Sequence, residues 1–262
     1  MIWLLTRHQS EVAQDAATQL SNFAEQQGLK SAQLHQDSQP QPGDLIVVLG
    51  GDGTLIHAAQ NYGNLNLPML AINLGRLGYI TGFRAEQATQ ALQAALSGKL
   101  VEDMRLRLSI RWGDNQAVAL NEALITSGQP GRICSLALAI DEQPATTLRG
   151  DGTLVATPTG STAYALSAGG PILLPGLQAL VVVPIAPHSI RFRPLVLPPS
   201  HKITITPDED AWLVLDGQER QRLTAGTQIR LDGTAQPLRL LKEPDHEHLH
   251  TLRSKLHWGE WS

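Results

Sequence analysis

Asp44-Leu45-Ile46-Val47-Val48-Leu49-Gly50-Gly51-Asp52-Gly53-Thr54 packs the end of one element, a tight turn and the start of another into a single short run. The aliphatic residues after Asp44 form the pattern of a strand buried on both faces. The glycines break it, and helical spacing takes over from about Thr54 to Tyr62. Strand, glycine turn and helix in that order are the unit of a parallel α/β sheet. The flanking sequence repeats the alternation. Ile2 to Thr6 reads as a short buried strand. Ser10 to Gln27 places Val12, Ala13, Ala16, Ala17, Leu20, Phe23 and Ala24 on one helical face, with Ser10 as N-cap and Gly28 as the stop. Ala32 to Leu34 is a candidate second strand, and Leu67 to Ile72 another. Arg84 to Ser97 is alanine-rich and reads as a helix ended by Gly98.

After about Leu100 the texture changes. Arg105–Trp112 and Gln116–Ile125 read as strands around a Gly113-Asp114-Asn115 turn. Arg132–Ile140 and Thr146–Arg149 flank Asp141-Glu142-Gln143-Pro144. Lys202–Thr206, Ala211–Leu215, Thr227–Leu231 and Pro237–Leu241 follow, with Asp-Gly turns at Asp216-Gly217 and Asp232-Gly233. Short strands at close spacing predict a mostly antiparallel region. The expected architecture is an α/β domain with a parallel sheet over 1–100. A β-rich domain over 101–262 follows it, from which the last segment can return to the first. Leu249–Trp258 fits a strand or a helix equally.

Composition narrows the class. Lys plus Arg number 20 against 24 Asp plus Glu, a net charge of −4, the wrong sign for a non-specific nucleic-acid binder. The single cysteine, Cys134, excludes an internal disulfide and fits a reducing, cytoplasmic setting. Met1–Leu5 is too short an apolar stretch for an export signal. Gly152 to Ile190 carries no Asp, Glu, Lys or Arg, yet Pro158, Pro171, Pro175, Pro184 and Pro187 interrupt it. It is therefore no membrane span and reads as a buried segment around a ligand.

The glycine turn suits a phosphate. Bare backbone N–H groups approach the anion and the helix N-terminus adds its dipole. No Gly-Lys-Ser/Thr follows, so it is not a Walker A loop, and it lacks the G-x-G-x-x-G pattern. Its distinguishing group is Asp52. A carboxylate beside phosphate is unfavourable unless it holds a metal or takes a proton, and both belong to phosphoryl transfer. The bland alternative is that Asp52 merely caps the helix.

Gly-Gly-Asp-Gly-Thr is shared by NAD kinases, 6-phosphofructokinases and the diacylglycerol and sphingosine lipid kinases. Three further blocks resemble the NAD kinase family alone. They are Asn73-Leu74-Gly75-Arg76-Leu77-Gly78-Tyr79-Ile80, the pair Asn121-Glu122, and the long run Gly150-Asp151-Gly152-Thr153-Leu154-Val155-Ala156-Thr157-Pro158-Thr159-Gly160-Ser161-Thr162-Ala163-Tyr164 with Ser167-Ala168-Gly169-Gly170-Pro171 after it. The resemblance implies transfer of the terminal phosphoryl group of ATP to the 2′-hydroxyl of the adenosine ribose of NAD. It implies a site in the crevice between the two domains and assembly as a homodimer or homotetramer, with no membrane and no nucleic acid as partner. Mg²⁺ is expected to arrive with ATP.

On the matching residues, Asp52 would accept the ribose proton, and Gly53 would belong to the phosphate loop. Asn121 and Glu122 would hold the adenosine part, an amide and a carboxylate being suited to a base edge and ribose hydroxyls. Thr162, Ala163, Tyr164 and Ser167 would line the NAD site together with Asp151. Arg149 reads as a partner for phosphate or as a rim ion pair. Arg132 and Ala186 are looser matches, as is Gln218. His57 reads as a phosphate contact or an exposed structural histidine. His246, His248 and His250 would share one face only if extended, and the family supplies no metal site there. Lys30 and Lys99 are the only lysines before Lys202, so loop N–H groups and Mg²⁺ are expected to grip ATP. The competing readings are a lipid or sugar kinase sharing only the glycine loop, and a non-catalytic NAD(P) sensor.

Overall fold

The computed structural model describes residues 1–6, 10–75, 78–127, 133–244 and 248–256. In chain order these give β1 (Ile2–Thr6), α1 (Glu11–Gln26), β2 (Ser31–Gln33), β3 (Leu45–Leu49), α2 (Asp52–Tyr62), β4 (Pro68–Asn73), β5 (Phe83–Arg84), α3 (Ala88–Leu96) and β6 (Val101–Arg105). Then come β7 (Leu108–Trp112), β8 (Asn115–Ala119), β9 (Glu122–Thr126), β10 (Cys134–Ile140), β11 (Gln143–Gly150), β12 (Gly152–Ala156), α4 (Tyr164–Ser167) and β13 (Leu180–Ile185). The chain closes with β14 (Leu195–Leu197), β15 (Ile203–Pro207), β16 (Ala211–Leu215), β17 (Glu219–Leu223), β18 (Ile229–Asp232), β19 (Leu238–Lys242) and α5 (His248–Leu256). Residues up to Met104, joined by the segment from Leu238 onward, form one unit, and Arg105–Pro237 form a second.

The first unit is an α/β layer structure. Its sheet runs β2-β1-β3-β4-β19-β6, with β5 also on β4, and β1, β2, β3, β4, β5 and β19 pair in parallel. Every residue of β3 is buried, as expected for a central strand covered on both faces. Leu45, Val47 and Leu49 meet Leu20, Ala17, Ala91 and Leu92 of α1 and α3; Ile46 and Val48, by the two-residue period, face the other way. The Ser10 hydroxyl accepts from the Ala13 N–H at 3.3 Å and so caps α1. Gly28, at φ +71°, ends it. Arg239 of β19 donates Nε and Nη2 to Glu102 of β6 at 2.9 and 2.6 Å, and Nη1 to the carbonyl of Asn66 at 2.6 Å.

The second unit is a sandwich of two antiparallel sheets, β11-β10-β15-β18-β7-β8 and β14-β13-β12-β9-β16-β17. Leu108, Ile110, Leu136, Ile203, Ile205 and Ile229 of the first sheet interdigitate with Ala123, Ile125, Val155, Val182 and Leu213 of the second. The opposite face of β12 and β13 is covered as well: Leu154, Ala156, Val181 and Val183 pack with Ala165 and Leu173. Burial on both sides accounts for the lack of charge in β12 and β13, but the uncharged run is not buried throughout: Tyr164, Leu174, Leu177 and Ile190 are exposed.

Several sequence expectations move. α2 starts at Asp52 rather than Thr54, because Gly51 already serves as its N-cap. The helix expected from Arg84 begins only at Ala88, after a short 3₁₀ turn. The hairpin after β10 turns on Asp141 and Glu142 alone, both at positive φ (49° and 67°). Pro144 therefore lies inside β11, which tolerates it as an edge strand. The strand read from Gln116 to Ile125 breaks at Leu120-Asn121, and β8 and β9 belong to different sheets. Pro237–Leu241 is no member of the antiparallel set, since β19 pairs parallel with β4. Glu219–Leu223, which its charges hid, is a strand.

Candidate functional site

Two constellations of polar groups stand out, one in each unit. In the first, β3 ends at Leu49 and α2 starts at Asp52, so the Gly50-Gly51 turn lies at the carboxyl edge of the sheet. Strands β1 and β3 are adjacent while their connections leave in opposite directions along the sheet, β1 to β2 through α1 and β3 to β4 through α2. That is the switch point where open α/β sheets take ligands. A cavity of about 240 Å³ lies there, lined by Ser10, Ala13, Leu49, Gly50, Gly51, Asn73, Leu74 and Gly75. The dipole of α2 makes its amino-terminal end favourable for an anion. Within the turn, the Thr54 N–H donates to the Gly51 carbonyl at 2.9 Å and the Gly50 N–H to the Ile72 carbonyl at 3.0 Å. The missing Cβ of Gly50 makes room for the Thr54 side chain.

Asp52, half-buried, is gripped by the loop after Gly78. Its Oδ1 accepts from Ile80 N (3.2 Å), Thr81 N (3.1 Å) and Thr81 Oγ1 (3.1 Å), and its Oδ2 accepts from Tyr79 N at 2.6 Å. Thr81 Oγ1 accepts in turn from Asn73 Nδ2 at 2.8 Å, and Asn73 Oδ1 accepts from Gly75 N at 2.8 Å. The block around Asn73 is thus the structural partner of the glycine loop. A Cβ on Gly78 would fall inside the Asp52 carboxylate, so glycine is required there. The Tyr79 hydroxyl meets Nε2 of His248 at 3.2 Å. A second cavity, about 400 Å³, shares Asn73, Leu74 and Gly75 and is lined by Arg84, Glu86 and Lys255. His57 lies five residues after Asp52, about 140° further round the helix. It is exposed there, with the Asn61 side-chain amide donating to its carbonyl at 2.8 Å.

In the second unit, Asn121 and Glu122 sit where β8 gives way to β9, and both are buried. Asp216, also buried, is the first central residue of the β16–β17 hairpin. Asp216 and Gly217 both take positive φ (50° and 67°), the type I′ geometry. Its carboxylate accepts from the N–H groups of Leu120 (Oδ2, 3.0 Å), Asn121 (Oδ1, 2.7 Å) and Glu122 (Oδ1, 3.2 Å). Asn121 Oδ1 and Glu122 Oε2 are the buried side-chain atoms, among the described residues, left without a partner. Each such vacancy costs on the order of 1–3 kcal/mol. Burial first, and the nearby Asp216 charge second, push the Glu122 carboxyl up to about 8. It is therefore neutral near pH 7 and can donate as well as accept.

The long block wraps this pair. Thr157 donates its N–H to the Asn121 carbonyl (2.8 Å) and its hydroxyl to the Leu120 carbonyl (2.6 Å). Gly160 lies so close to the Asn121 carbonyl that no Cβ fits. Ser161 and Thr162 do not cap a helix. Their hydroxyls donate to the carbonyls of Pro158 (2.7 Å) and Thr159 (3.1 Å), and α4 begins uncapped after Ala163. Tyr164 and Ser167 are exposed on α4, and Gln218 is exposed in the Asp216 turn.

Arg149, Asp151 and Ala186 gather elsewhere. The Asp151 N–H donates to the Ile185 carbonyl and the His188 N–H to the Arg149 carbonyl. The Ala186 backbone is held at φ +42°, a strained conformation for a residue with a side chain. Pairing of Ala156 with Glu122 and Gly152 with Thr126 puts this group at the opposite end of β12, about 13 Å along the strand. Arg132 and His246 lie outside the described residues. His248 and His250 fall in α5, so the extended three-histidine face does not exist there. Among the described residues no group of three or more His, Cys, Asp or Glu could hold a metal ion. Cys134 is buried, and burial raises its thiol pKa. The largest of these cavities, about 480 Å³, and another of about 370 Å³ lie on the outer face of β7 and β18 around Arg111 and Arg230. Neither is lined by Asp52, Asn121 or Glu122, so size does not mark the chemistry.

Sequence reasoning missed Asp216, Thr157 and Thr81. Asp216-Gly217 reads as one more Asp-Gly turn beside Asp232-Gly233, and nothing local reveals where its carboxylate points. Thr157 stands inside the quoted block but carried no assigned task.

Comparison with known proteins identifies the relatives of this chain. The sequence model of the ATP-NAD kinase N-terminal domain matches residues 5–100, and that of the ATP-NAD kinase C-terminal domain residues 120–242. The NAD kinase of Geotalea daltonii is 40% identical over 233 residues, 86% of this chain and 82% of that protein. The NAD kinase of an Azoarcus species is 40% identical over 223 residues, 82% and 76% of the two. Yeast NADH kinase, crystallised with NADH, superposes at a TM-score of 0.87 over 100% of this chain and 88% of that one at 23% identity, a likeness of fold. The NAD kinase of Archaeoglobus fulgidus in complex with ATP gives 0.79 at 26% identity over 98% and 99%. With both domain models matched and relatives this similar over most of their length, the chain belongs to the NAD kinase family.

Proposed function

We propose that this protein transfers the terminal phosphoryl group of ATP to the 2′-hydroxyl of the adenosine ribose of NAD, giving NADP. The observation that carries the reading is the paired arrangement within the first unit: a helix N-terminus at a glycine turn, with one fixed carboxylate beside it. Oδ2 of Asp52 takes a single donor, Tyr79 N, among the described residues, which leaves it a lone pair for an alcohol proton. In a loose phosphoryl-transfer transition state the proton departs late, so holding the carboxylate in place counts for more than its basicity. Gly51, Gly53 and the start of α2 receive phosphate oxygens. Arg84 and Lys255, lining the adjoining cavity, add positive charge for the triphosphate. Mg²⁺ would enter with the ATP substrate and would neutralise phosphate charge.

The acceptor is held in the second unit. Asn121 Oδ1 and Glu122 Oε2, buried and unpartnered, take the adenosine part of NAD. Thr162, Ala163, Tyr164 and Ser167 line the same nucleotide, and Asp151, Arg149 and Ala186 its remainder. The protein works in the cytoplasm as a homo-oligomer. Exposed Leu195 and Val196 on the edge strand β14, and exposed Ile190 shortly before it in the chain, support that assembly.

The test is direct. Purified protein, NAD, ATP and Mg²⁺ are followed through a dehydrogenase specific for NADP⁺. Product from wild type, none from Asp52→Asn, and near-wild-type NAD affinity in that variant are the expected results. Full turnover in Asp52→Asn removes the carboxylate from the chemistry, and NAD binding without product in wild type makes the protein a sensor.

A further inference from the structure

Residues 120–122 carry the chain from the end of β8 into the first residue of β9, and buried backbone at such a break has to find partners for each main-chain group. Here the accounting closes on two residues. Asp216 takes the N–H groups of Leu120, Asn121 and Glu122 on its carboxylate, and its own N–H donates to the Glu122 carbonyl at 2.9 Å. Thr157 takes care of the carbonyls of Leu120 and Asn121 through its hydroxyl and its N–H. The six main-chain groups are thereby satisfied without any call on a side chain of the segment. What remains are the two orphaned atoms, Asn121 Oδ1 and Glu122 Oε2.

A turn alone does not need this. A type I′ hairpin asks only for positive φ at its two central residues, which glycine or asparagine supplies. The buried carboxylate with three amide donors exceeds that requirement. A carboxylate accepting several N–H groups also fixes its partners more rigidly than neutral acceptors would. We infer that Asp216 is a positioning residue for nucleotide binding: it clamps the 120–122 backbone so that Asn121 and Glu122 present their free oxygens to the adenosine part of the dinucleotide. This rests on the acceptor reading given above.

The test separates clamp from turn. Asp216→Gly keeps the positive-φ geometry and deletes the clamp, whereas Asp216→Asn keeps the geometry and one carbonyl acceptor. NAD affinity is measured by calorimetry, and KM for NAD, KM for ATP and kcat by the coupled assay, beside wild type. For Asp216→Gly the dissociation constant and KM for NAD are expected to rise at least about tenfold, the loss of charge-assisted bonds that preorganise the site. KM for ATP should stay within about twofold, and Asp216→Asn should fall between, since one oxygen can still take two of the three N–H groups. Wild-type NAD affinity in both variants reduces Asp216 to a turn residue and overturns the inference. So does a parallel rise in both KM values, which would mark general loosening, and so does a glycine variant that will not fold paired with an asparagine variant of unchanged NAD affinity. If wild type itself binds no NAD, the acceptor reading is what fails, and the inference goes with it.

Discussion

Replacing Glu122 by glutamine should make the nucleotide-free protein more stable as pH rises, and the slope can be worked out. The residue is 5% exposed, and its carboxyl pKa stands at about 8 against an ordinary 4.5. Below about pH 4.5 both folded and unfolded chains hold this proton, so the site contributes nothing to the pH dependence. Between about 4.5 and 8 the unfolded chain has released it while the folded chain retains it, so folding stability falls as pH rises. At about 1.4 kcal/mol per pH unit, the deficit reaches on the order of 4 kcal/mol near pH 7.5 and levels off near 5 above pH 8. Glutamine has nearly the same shape and no charge to lose. Its amide can change stability by a constant offset, but that offset is the same at every pH. Urea unfolding of wild type and Glu122→Gln between about pH 5 and 8.5 reads the difference. The variant should gain steadily on wild type across that range, with the two closest at the acid end. Parallel stability curves would show that Glu122 ionises in the folded state as it does in the unfolded one, and the account of its burial would be wrong.

Gly78→Ala should lower kcat by about 100-fold, since its Cβ displaces the Asp52 carboxylate by an amount comparable to the misplacements that cost that much; the coupled assay with a parallel melting curve checks it, and unchanged kcat refutes the contact. Arg84→Ala should raise KM for ATP several-fold and leave NAD affinity within error, read by titrating each substrate separately. Leu20→Ala, at a fully buried position on the inner face of α1, should cost about 2–5 kcal/mol in urea unfolding. A cost below about 1 kcal/mol would mean that α1 is not seated as described.

The first unit was readable because its signals are local. Ser10, Gly28 and Gly98 punctuate helices, and the β3 run cannot be mistaken for anything solvated. The glycine loop announced Asp52 for the same reason. The second unit gave up its strands but not their partners. Glu219–Leu223 presents charges on exposed positions, and the break at Leu120-Asn121 is produced by a carboxylate almost a hundred residues away. The grip of residues 79–81 on Asp52 is of the same kind: the sequence supplied both blocks, and only the three-dimensional arrangement joined them. Arg84 and Lys255 illustrate the point for charge. Lysines are scarce before Lys202, and only the fold brings Lys255 to the cavity beside Gly75.

Strand β19 pairs with the edge of β4 through Arg239, Leu240 and Leu241, yet some 165 residues of chain separate the two. On the ribosome, β1 to β5 emerge long before that neighbour exists, so the nascent sheet waits with one edge of β4 incompletely covered. The contiguous sandwich from Arg105 to Pro237 has all its own strands in hand first. Synthesis therefore reverses the usual order in which the amino-terminal part is completed earliest. The vulnerable interval for this chain, when chaperone protection matters most, ends only once Lys242 has cleared the exit tunnel.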